Sequence, residues 1–461
     1  MADEPAAGGW KLRSAIENVA WPGVPAAQAS TVLSLLFQLE QTQWLARSQL
    51  VERQREQLEL ILRHALATTP YYREQWRGLL RPGELLSVAA FGELPLLSRS
   101  ALQAQFDALR SEAPPASHGA PQVLRTSGST GMPVRVLGTP LTALFWSALT
   151  LRDHLWHRRD FARPLAIIRR GVTPGQAKSW GRATDGLVDT GPCWMHEVDR
   201  PVHAQLDWLA GCDAGYLLTY PSLAKELALA SIAGGLRLPD LREVRTLGES
   251  IDDETRALCR SAWGVPLTDL YSAEEVGYIA LQCPQHAHYH AQAETVLVEV
   301  LDQEGRPCAP GAVGRVVVTS LHNFAFPIIR YDIGDYAEVG APCPCGRGLP
   351  VIKRILGRVR NTLVTAGGER YWPAFGLRAL QDVLPIRQYQ FVQKSYERIE
   401  MRLVASAKLS VDQEAMLRAR IRERLPAGFD VTLAYTDHIG RGVGGKFEEF
   451  VSEVSPTTAA Q

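Results

Sequence analysis

Short apolar runs alternate with helical segments between residues 164 and 263, and no other feature restricts the fold as strongly. The apolar runs PLAIIRR, AGYLLTY and EVRTLGE have the length of buried strands, while QLDWLA, LAKELALASIA and ETRALCRSAW have helical character. Parallel strands require crossover connections of about this length, and helices usually supply them. The alternation therefore predicts an α/β core built on a parallel sheet.

The pattern changes twice toward the C-terminus. From residue 294 onward, strand-like runs such as TVLVEVLD and GRVVVTSL indicate a β subdomain, and the last hundred residues carry their own strand and helix signals. A single core stops growing at about 250–300 residues. We therefore expect two domains in this chain: a large N-terminal α/β domain, residues 1–357, with mixed and parallel sheets, and a small mobile α+β domain, residues 358–461.

The charge balance and the cysteine content exclude several classes of protein. The chain has 49 basic and 49 acidic side chains, so no net field favours nucleic acid or an anionic membrane. No apolar run approaches the roughly 20 residues that span a bilayer, and the N-terminus lacks the apolar centre of a signal peptide. Seven scattered cysteines do not make a disulfide scaffold. We expect a cytoplasmic protein with reduced thiols.

The stretch TSGSTG, from Thr126 to Gly131, combines hydroxyl side chains with two glycines between two strand-like runs. Such a turn exposes backbone N–H groups and hydroxyl donors that suit phosphate oxygens. A plain Ser/Gly turn between strands is the alternative reading.

Two acidic motifs follow later in the chain. YSAEE places Glu274 and Glu275 after a strand-like run, where one carboxylate would suit Mg²⁺ beside phosphates. PIIRYDIGD holds Arg330, Asp332 and Asp335 around a glycine turn, and an aspartate there would accept two ribose hydroxyls. A solvated acidic pair and a capped β-turn remain the respective alternatives.

Two segments of the chain bring several cysteines and histidines close together in the sequence. LQCPQHAHYH contains Cys283, His286, His288 and His290, and PCPCGRG contains Cys343 and Cys345. Three thiolates and one imidazole would complete a tetrahedral structural zinc site. Free thiols are the alternative.

Lys446 lies in GRGVGGKF near the C-terminus. The spacing imitates a nucleotide-binding P-loop, but Phe447 stands where such a loop needs a hydroxyl, and only fifteen residues follow Lys446. What remains is a cation on a glycine-flanked segment that is able to change conformation. An exposed loop lysine is the alternative.

The order of these motifs, TSGSTG, GES, YSAEE, RYDIGD, GR and GGK, resembles that of the adenylate-forming superfamily of acyl-CoA synthetases, nonribosomal adenylation domains and luciferases. The stretches LRHALATTPYYRE, YPSLAKELA, LQCPQHAH and CPCGRGLPVIKRILGR are most similar to the branch of phenylacetate–CoA ligase and CapK-like proteins. The resemblance covers about residues 55–450.

The resemblance implies a role for each matching residue. Lys446 would be catalytic, reaching the substrate carboxylate and the α-phosphate, and Glu275 would hold Mg²⁺. The residues that would bind ATP are Thr126, Ser127, Gly128, Ser129, Thr130, Gly131, Gly248, Glu249, Tyr271, Asp335 and Arg358. The zinc ligands would be Cys283, His288, Cys343 and Cys345.

Several positions depart from the family pattern. Met132 replaces the lysine that usually ends the phosphate loop, a loss for which Arg135 would partly compensate. Ser272 replaces a common glycine, and Glu274 the hydroxyl residue before the magnesium ligand. Arg360 and Asn361 replace an acidic pair at the hinge.

We therefore predict an ATP-dependent ligase that converts an aromatic or cyclic carboxylic acid into an acyl-adenylate and transfers the acyl group to coenzyme A. Transfer to an amine or to a carrier-protein thiol is the alternative, and a non-catalytic relative that binds a nucleotide is a third reading. Homodimerisation is left open. Candidates for the acyl pocket are Phe145, Trp146, Trp194 and Tyr220.

Overall fold

We analysed a computed structural model, which describes residues 10–79, 88–125, 133–358, 362–367, 369–371, 384–442 and 446–454. The chain divides into two compact units. One consists of Met1–Ile251 and Thr255–Ile355, and the other of Asp252–Glu254 and Leu356–Gln461. In the described part of the chain, no helix is both long and apolar enough to cross a membrane.

Helices predominate in the first quarter of the chain, and strands predominate after residue 264. The helices are α1 Ala27–Thr42, α2 Arg47–Thr68, α3 Pro70–Gln75, α4 Val88–Gly92, α5 Arg99–Ala104, α6 Phe106–Leu109, α7 Pro140–Trp156, α8 Val202–Ala210, α9 Pro221–Gly234, α10 Asp253–Trp263 and α11 Val411–Arg422. The strands are β1 Gln122–Arg125, β2 Arg135–Gly138, β3 Leu165–Ile168, β4 Gly175–Ala177, β5 Cys193–His196, β6 Tyr216–Thr219, β7 Glu243–Leu247, β8 Leu267–Ala273, β9 Gly277–Gln282, β10 Tyr289–Ala291, β11 Val296–Leu301, β12 Val313–Ser320, β13 Tyr331–Val339, β14 Val351–Arg358, β15 Leu363–Val364, β16 Arg370–Tyr371, β17 Ile386–Gln393, β18 Arg398–Ala405, β19 Asp430–Tyr435 and β20 Phe450–Ser452.

One twelve-stranded mixed sheet organises the larger unit, in the order β11-β12-β13-β14-β10-β9-β8-β7-β6-β3-β5-β4. Strands β5, β3, β6, β7 and β8 are parallel neighbours, as the alternating pattern predicted. The strand-rich segment after residue 294 extends this same sheet as antiparallel β11 to β13. The predicted α/β fold with a smaller sheet domain is confirmed.

Helices cover one face of the parallel strands. Apolar residues of α8, α9 and α10 pack with strand residues such as Ile168, Leu217 and Val244, all of which are fully buried. The chain runs from β3 outward to β5 and then returns to β6 on the other side of β3. The strand order therefore reverses between β3 and β6, a topological switch point at whose carboxyl edge open α/β sheets bind their ligands.

The antiparallel half of the sheet surrounds a second core. Tyr271 on β8, Tyr289 on β10 and Ile333 on β13 are buried in one cluster with Tyr72 and Trp76 from the α2–α3 region. Pro70 separates those two helices: α2 ends at Thr68, and Pro70 starts α3 at the position where its missing N–H costs nothing. Proline thus ends the predicted helix as expected and begins the next one.

A buried network of charges joins the end of α7 to β7. The Arg159 guanidinium lies 2.6 Å from Asp153 Oδ2 and 2.7 Å from Glu243 Oε1, and Arg245 Nη2 lies 2.6 Å from the same Asp153 oxygen. Burial opposes ionisation of Asp153, but the two guanidinium groups hold the pKa of this carboxyl well below its usual value. Two cations thus neutralise two carboxylates, which the low dielectric of a core requires.

The smaller unit contains a four-stranded sheet in the order β19-β18-β17-β20. Strands β17 and β18 are antiparallel, and each has a parallel neighbour at its outer side. Leu417 and Ile421 of α11 are fully buried against strand residues such as Phe391 and Met401. This unit therefore has a core of its own, the condition for a separate domain.

Asp269 on β8 gives the larger unit a specific pH dependence. Burial raises the pKa of this carboxyl to about 6, although Thr246 Oγ1 (2.6 Å) and Tyr289 Oη (2.7 Å) donate hydrogen bonds to it. A folded-state pKa above the unfolded value of about 3.9 means that stability is present below pH 4 and is lost as the pH rises through 6. The loss amounts to about 3 kcal/mol.

We predict that Asp269→Asn removes this loss because the amide does not ionise. Between pH 4 and pH 8, the free energy of unfolding of the variant, relative to that of the wild type, should rise by about 3 kcal/mol. Urea unfolding followed by tryptophan fluorescence measures it, with the exposed Asp107→Asn as the control. A pH-independent difference between Asp269→Asn and the wild type would contradict this assignment.

Candidate nucleotide site and metal cluster

Tyr271 and Asp335, the predicted adenine and ribose contacts, lie side by side. The Tyr271 hydroxyl on β8 donates a 2.7 Å hydrogen bond to Asp335 Oδ2 on β13. The register of β8 and β9 shifts between Tyr271 and Ser272, and such a bulge redirects a side chain. Ser272 does not adopt a positive φ, so this position tolerates the loss of the family's glycine.

Glu275, the predicted magnesium ligand, is buried in the turn between β8 and β9. Tyr331 donates a 3.3 Å hydrogen bond to Glu275 Oε1, and Arg99 Nη1 lies 3.5 Å from the same oxygen. Burial raises the pKa of Tyr331, which keeps its hydroxyl protonated as a donor. A buried carboxylate needs such compensation, and Mg²⁺ would supply more of it.

Arg99 is the residue of this site that sequence reasoning missed. It opens α5, far earlier in the chain, and also donates to the Tyr331 hydroxyl at 3.4 Å. Its stretch LLSRSALQ carries no motif, so only the folded chain shows that a cation faces Glu275.

Gly248 and Glu249 follow β7 as a tight turn. Gly248 has φ +82°, a conformation that a side chain would strain, which explains glycine at this point. Glu249 Oε2 accepts a 2.9 Å hydrogen bond from the backbone N–H of Ser222, in the first turn of α9. A carboxylate there accepts from one of the N–H groups that have no partner within the helix itself, and it complements the helix dipole.

The phosphate-loop prediction, Thr126 to Gly131, lies outside the described residues, as do Met132, Arg360 and Asn361. The flanking runs form the predicted strands, since β1 pairs with β2 antiparallel in a register that ends at Arg125 opposite Arg135. The Arg135 guanidinium lies 4.4 Å from the Phe106 ring centroid, a cation–π contact.

Lys446 and Arg358 belong to the smaller unit. The Lys446 carbonyl accepts a 2.9 Å hydrogen bond from the Gly442 N–H, which closes the loop between them, and Arg358 ends β14. Their roles toward the substrate and the ribose stay predictions.

Arg330, in the same motif as Asp335, has a structural role. Its side chain is buried, donates to the Leu94 carbonyl at 2.6 Å and pairs with Glu299 at 3.1 Å. Its φ of +48° is unusual for a residue with a side chain. Asp332 Oδ1 accepts a 3.0 Å hydrogen bond from the Gly334 N–H within strand β13, where the register with β12 shifts.

The aromatic candidates for the acyl pocket do not form one cluster. Phe145 packs on His322, with ring centroids 4.0 Å apart, and burial lowers the pKa of that histidine to about 4. Trp146 is 40% exposed and packs on Tyr278. Tyr220 is buried at the end of β6, and Trp194 lies on β5.

Three of the four predicted zinc ligands come together in one compact group. Donor atoms of Cys283, His288, His290 and Cys343 lie within 4.8 Å of one another, at the ends of β9, β10 and the segment before β14. The sulfur atoms of Cys283 and Cys343 are 3.8 Å apart. Tetrahedral zinc with Zn–S bonds of about 2.3 Å would hold two sulfurs about 3.8 Å apart. The donor set therefore fits zinc.

Two residues are candidates for the fourth zinc ligand of this cluster. We predicted Cys345, but the compact group contains His290 in its place, and Cys345 Sγ lies 3.4 Å from His290 Nε2. Burial raises the pKa of Cys343 to about 12, so a metal would have to displace its proton.

Known proteins resemble this chain in both of its units. Residues 377–453 match the family described as the CapK C-terminal domain. Over 257 residues the chain is 28% identical to a phenylacetate–coenzyme A ligase from Thermus thermophilus, a match that covers 49% of this chain and 57% of that enzyme. The match thus spans little more than half the length of that relative.

Among the solved structures that resemble the chain are two CoA ligases. A 2-hydroxyisobutyryl-CoA ligase in the postadenylation state, in complex with R3-HIB-AMP, has a TM-score of 0.69 at 19% identity, over 87% of this chain and 89% of that chain. The anthranilate CoA ligase AuaEII with anthranoyl-AMP has a TM-score of 0.53 at 14% identity, over 71% of this chain and 65% of that chain.

The fold is that of the adenylate-forming ligases. The predicted resemblance to this superfamily, and to its phenylacetate–CoA ligase and CapK-like branch, is confirmed by the family match and by the Thermus relative. The predicted enzyme class, an adenylate-forming ligase, is supported by the same relatives.

We predict that protein purified without chelator contains about one zinc ion per chain. Cys343→Ser should lose the metal because it removes a shared ligand, whereas Cys308→Ser, outside the cluster, should retain it. Elemental analysis measures both. With Co²⁺ in place of zinc, the intensity of the thiolate charge-transfer band distinguishes two sulfur ligands from three and so decides between His290 and Cys345. Wild-type protein that is isolated without metal and is nevertheless fully stable would refute the zinc site.

Proposed function

We propose that the chain is an ATP- and Mg²⁺-dependent ligase that activates a carboxylic acid as acyl-AMP and transfers the acyl group to coenzyme A. The observation that carries the proposal is that β13 contacts two other candidate residues: its Asp335 accepts a hydrogen bond from Tyr271 of β8, and its Tyr331 donates one to Glu275 in the turn after β8. These side chains offer an aromatic face for a base, an acceptor for ribose hydroxyls and a carboxylate for a metal. The CoA ligases with this fold support the same reading.

In the first step, a carboxylate oxygen of the acid attacks the α-phosphorus of ATP. The bond from that phosphorus to the bridging oxygen breaks, and pyrophosphate leaves with the electron pair. The carboxylate and the phosphates of ATP are both anionic and repel each other, so this step requires positive charge between them. Mg²⁺, held by Glu275, would neutralise the phosphates, and Arg99 next to Glu275 adds a fixed cation.

In the second step, the sulfur of coenzyme A attacks the acyl carbonyl. The bond to the AMP oxygen breaks, AMP leaves and the thiol proton passes to solvent. In this proposal, Lys446 serves the first step and moves away before the second, through motion of the small domain beyond residue 357. The glycines that precede Lys446 in the sequence suit such a movement.

We predict that Lys446→Ala lowers the rate of acyl-adenylate formation about a thousandfold, because one cation at about 4 Å is worth roughly 4 kcal/mol at a dielectric of about 20. Pyrophosphate release with ATP and a panel of carboxylic acids measures the rate. Lys408→Ala, which removes an exposed lysine of the same unit, is the matched control. If the Lys446→Ala protein forms acyl-adenylate as fast as the control, Lys446 has no part in the mechanism.

The acceptor is tested separately, once an activated acid is known. We expect a thioester when coenzyme A is supplied and no amide when amino acids or amino sugars replace it, with products identified by mass spectrometry. If an amide forms and no CoA thioester does, the second step is amide formation and not thioester formation. The proposed adenylation step would be unaffected by that result. A protein that binds ATP but releases no pyrophosphate with any acid would favour the non-catalytic reading.

A further inference from the structure

The carboxyl edge of the parallel strands at the switch point carries cationic side chains. Arg169 and Arg170 follow β3 directly, His196 ends β5, and Tyr220 follows β6. Other basic residues of this part of the chain lie toward the opposite edge: Arg163 precedes β3, and Lys178 follows β4, whose end pairs with the start of β5. Arg169 and Arg170 thus place two guanidinium groups at the edge where this fold class binds ligands.

The two arginines differ in their surroundings. Arg170 pairs with Asp199 at 2.9 Å on the protein surface. Arg169 is exposed and forms no ion pair with any residue for which the structure gives a position. Its backbone N–H donates to the His196 carbonyl at 3.3 Å, which continues the pairing of β3 with β5.

The alternation of side chains along a strand places Arg169 on the same face as Leu165 and Ile167. That face carries the small apolar cluster around Leu165, to which Met195 and Leu218 contribute. Arg169 also opposes the effect of burial on the pKa of Cys193, a member of that cluster, so its charge acts over this face. The pKa of Cys193 still rises to about 11.

Exposure increases along this face toward the carboxyl edge. Leu165 and Tyr216 are buried, Ile167, Met195 and Leu218 are only partly covered, and Arg169 is exposed. The surface is therefore apolar along the strands and cationic at the edge. An apolar acid with one carboxylate uses that group in the activation step and has no charge left for Arg169. A second anionic group would form an ion pair with Arg169.

From this arrangement we propose that the acid activated by the protein has an apolar body and a second anionic group, and that Arg169 determines the specificity by binding that group. The inference rests on the proposed function, since it concerns the acyl subsite of the same reaction. It replaces the expectation of an aromatic pocket, whose four candidate rings do not form one cluster.

The test uses acids in pairs that share a skeleton and differ by one carboxylate: benzoate with isophthalate, and hexanoate with adipate. With full-length protein, ATP and Mg²⁺, the diacid of at least one pair should give the higher kcat/KM for pyrophosphate release. Arg169→Gln should lower that value about 10- to 100-fold and abolish the preference, since a charged hydrogen bond is lost. Arg169→Lys should restore part of it. Arg260→Gln, which makes the same charge change on α10, should leave it unchanged.

Binding of isophthalate and adipate without ATP, measured by calorimetry, separates this inference from the proposed function. Binding that Arg169→Gln abolishes would support the anionic subsite even if no pyrophosphate were released, a result that would refute only the ligase activity. Equal activity with both members of each pair, or a preference for the diacid that survives in Arg169→Gln, would overturn the subsite and leave the ligase activity intact.

Discussion

The hydrogen bond between Tyr271 and Asp335 depends on a strong curl of the large sheet. Strands β8 and β13 are four places apart in the strand order. At about 4.8 Å per strand, a flat sheet would separate them by about 19 Å, yet the two side-chain oxygens are 2.7 Å apart. Antiparallel strands β9, β10 and β14 must therefore bend round the apolar core that holds Tyr271 and Ile333. The two predicted nucleotide contacts meet because that core is filled.

The cluster of candidate zinc ligands lies where this curl is formed. Its residues come from the ends of β9 and β10 and from the segment that leads into β14, the three strands between β8 and β13. Structural zinc contributes to the free energy of folding by joining elements that are otherwise held by short pairings. Strand β10 has only three residues. In this arrangement zinc would stabilise the curl, while the proposed chemistry would take place on the strands at either side.

Much of the architecture was predictable because it follows from local patterns. The apolar runs before residue 263 became the parallel strands, and the runs on both sides of TSGSTG became paired strands. The contacts that could not be predicted join distant segments. Arg99 faces Glu275 without any motif, and His290 competes with Cys345 because β10 turns its side chain toward Cys345 Sγ. Arg330 shares a motif with Asp335, yet it binds the Leu94 carbonyl and Glu299. Sequence spacing carries no information about such partners.

Strand β8 links the two halves of the proposed chemistry. Its first residues pair parallel with β7, in the half that presents Arg169 at its carboxyl edge, and its last residues pair antiparallel with β9. The network of Asp153, Arg159 and Glu243 holds the adjoining β7 against α7, and because its charges are buried and mutually satisfied, the loss of one member would leave an unpaired charge in the core. The position of β8 is thus determined from both sides. A rigid strand shared by both halves would hold an acid and a nucleotide at a constant separation, which is what in-line attack on an α-phosphate requires.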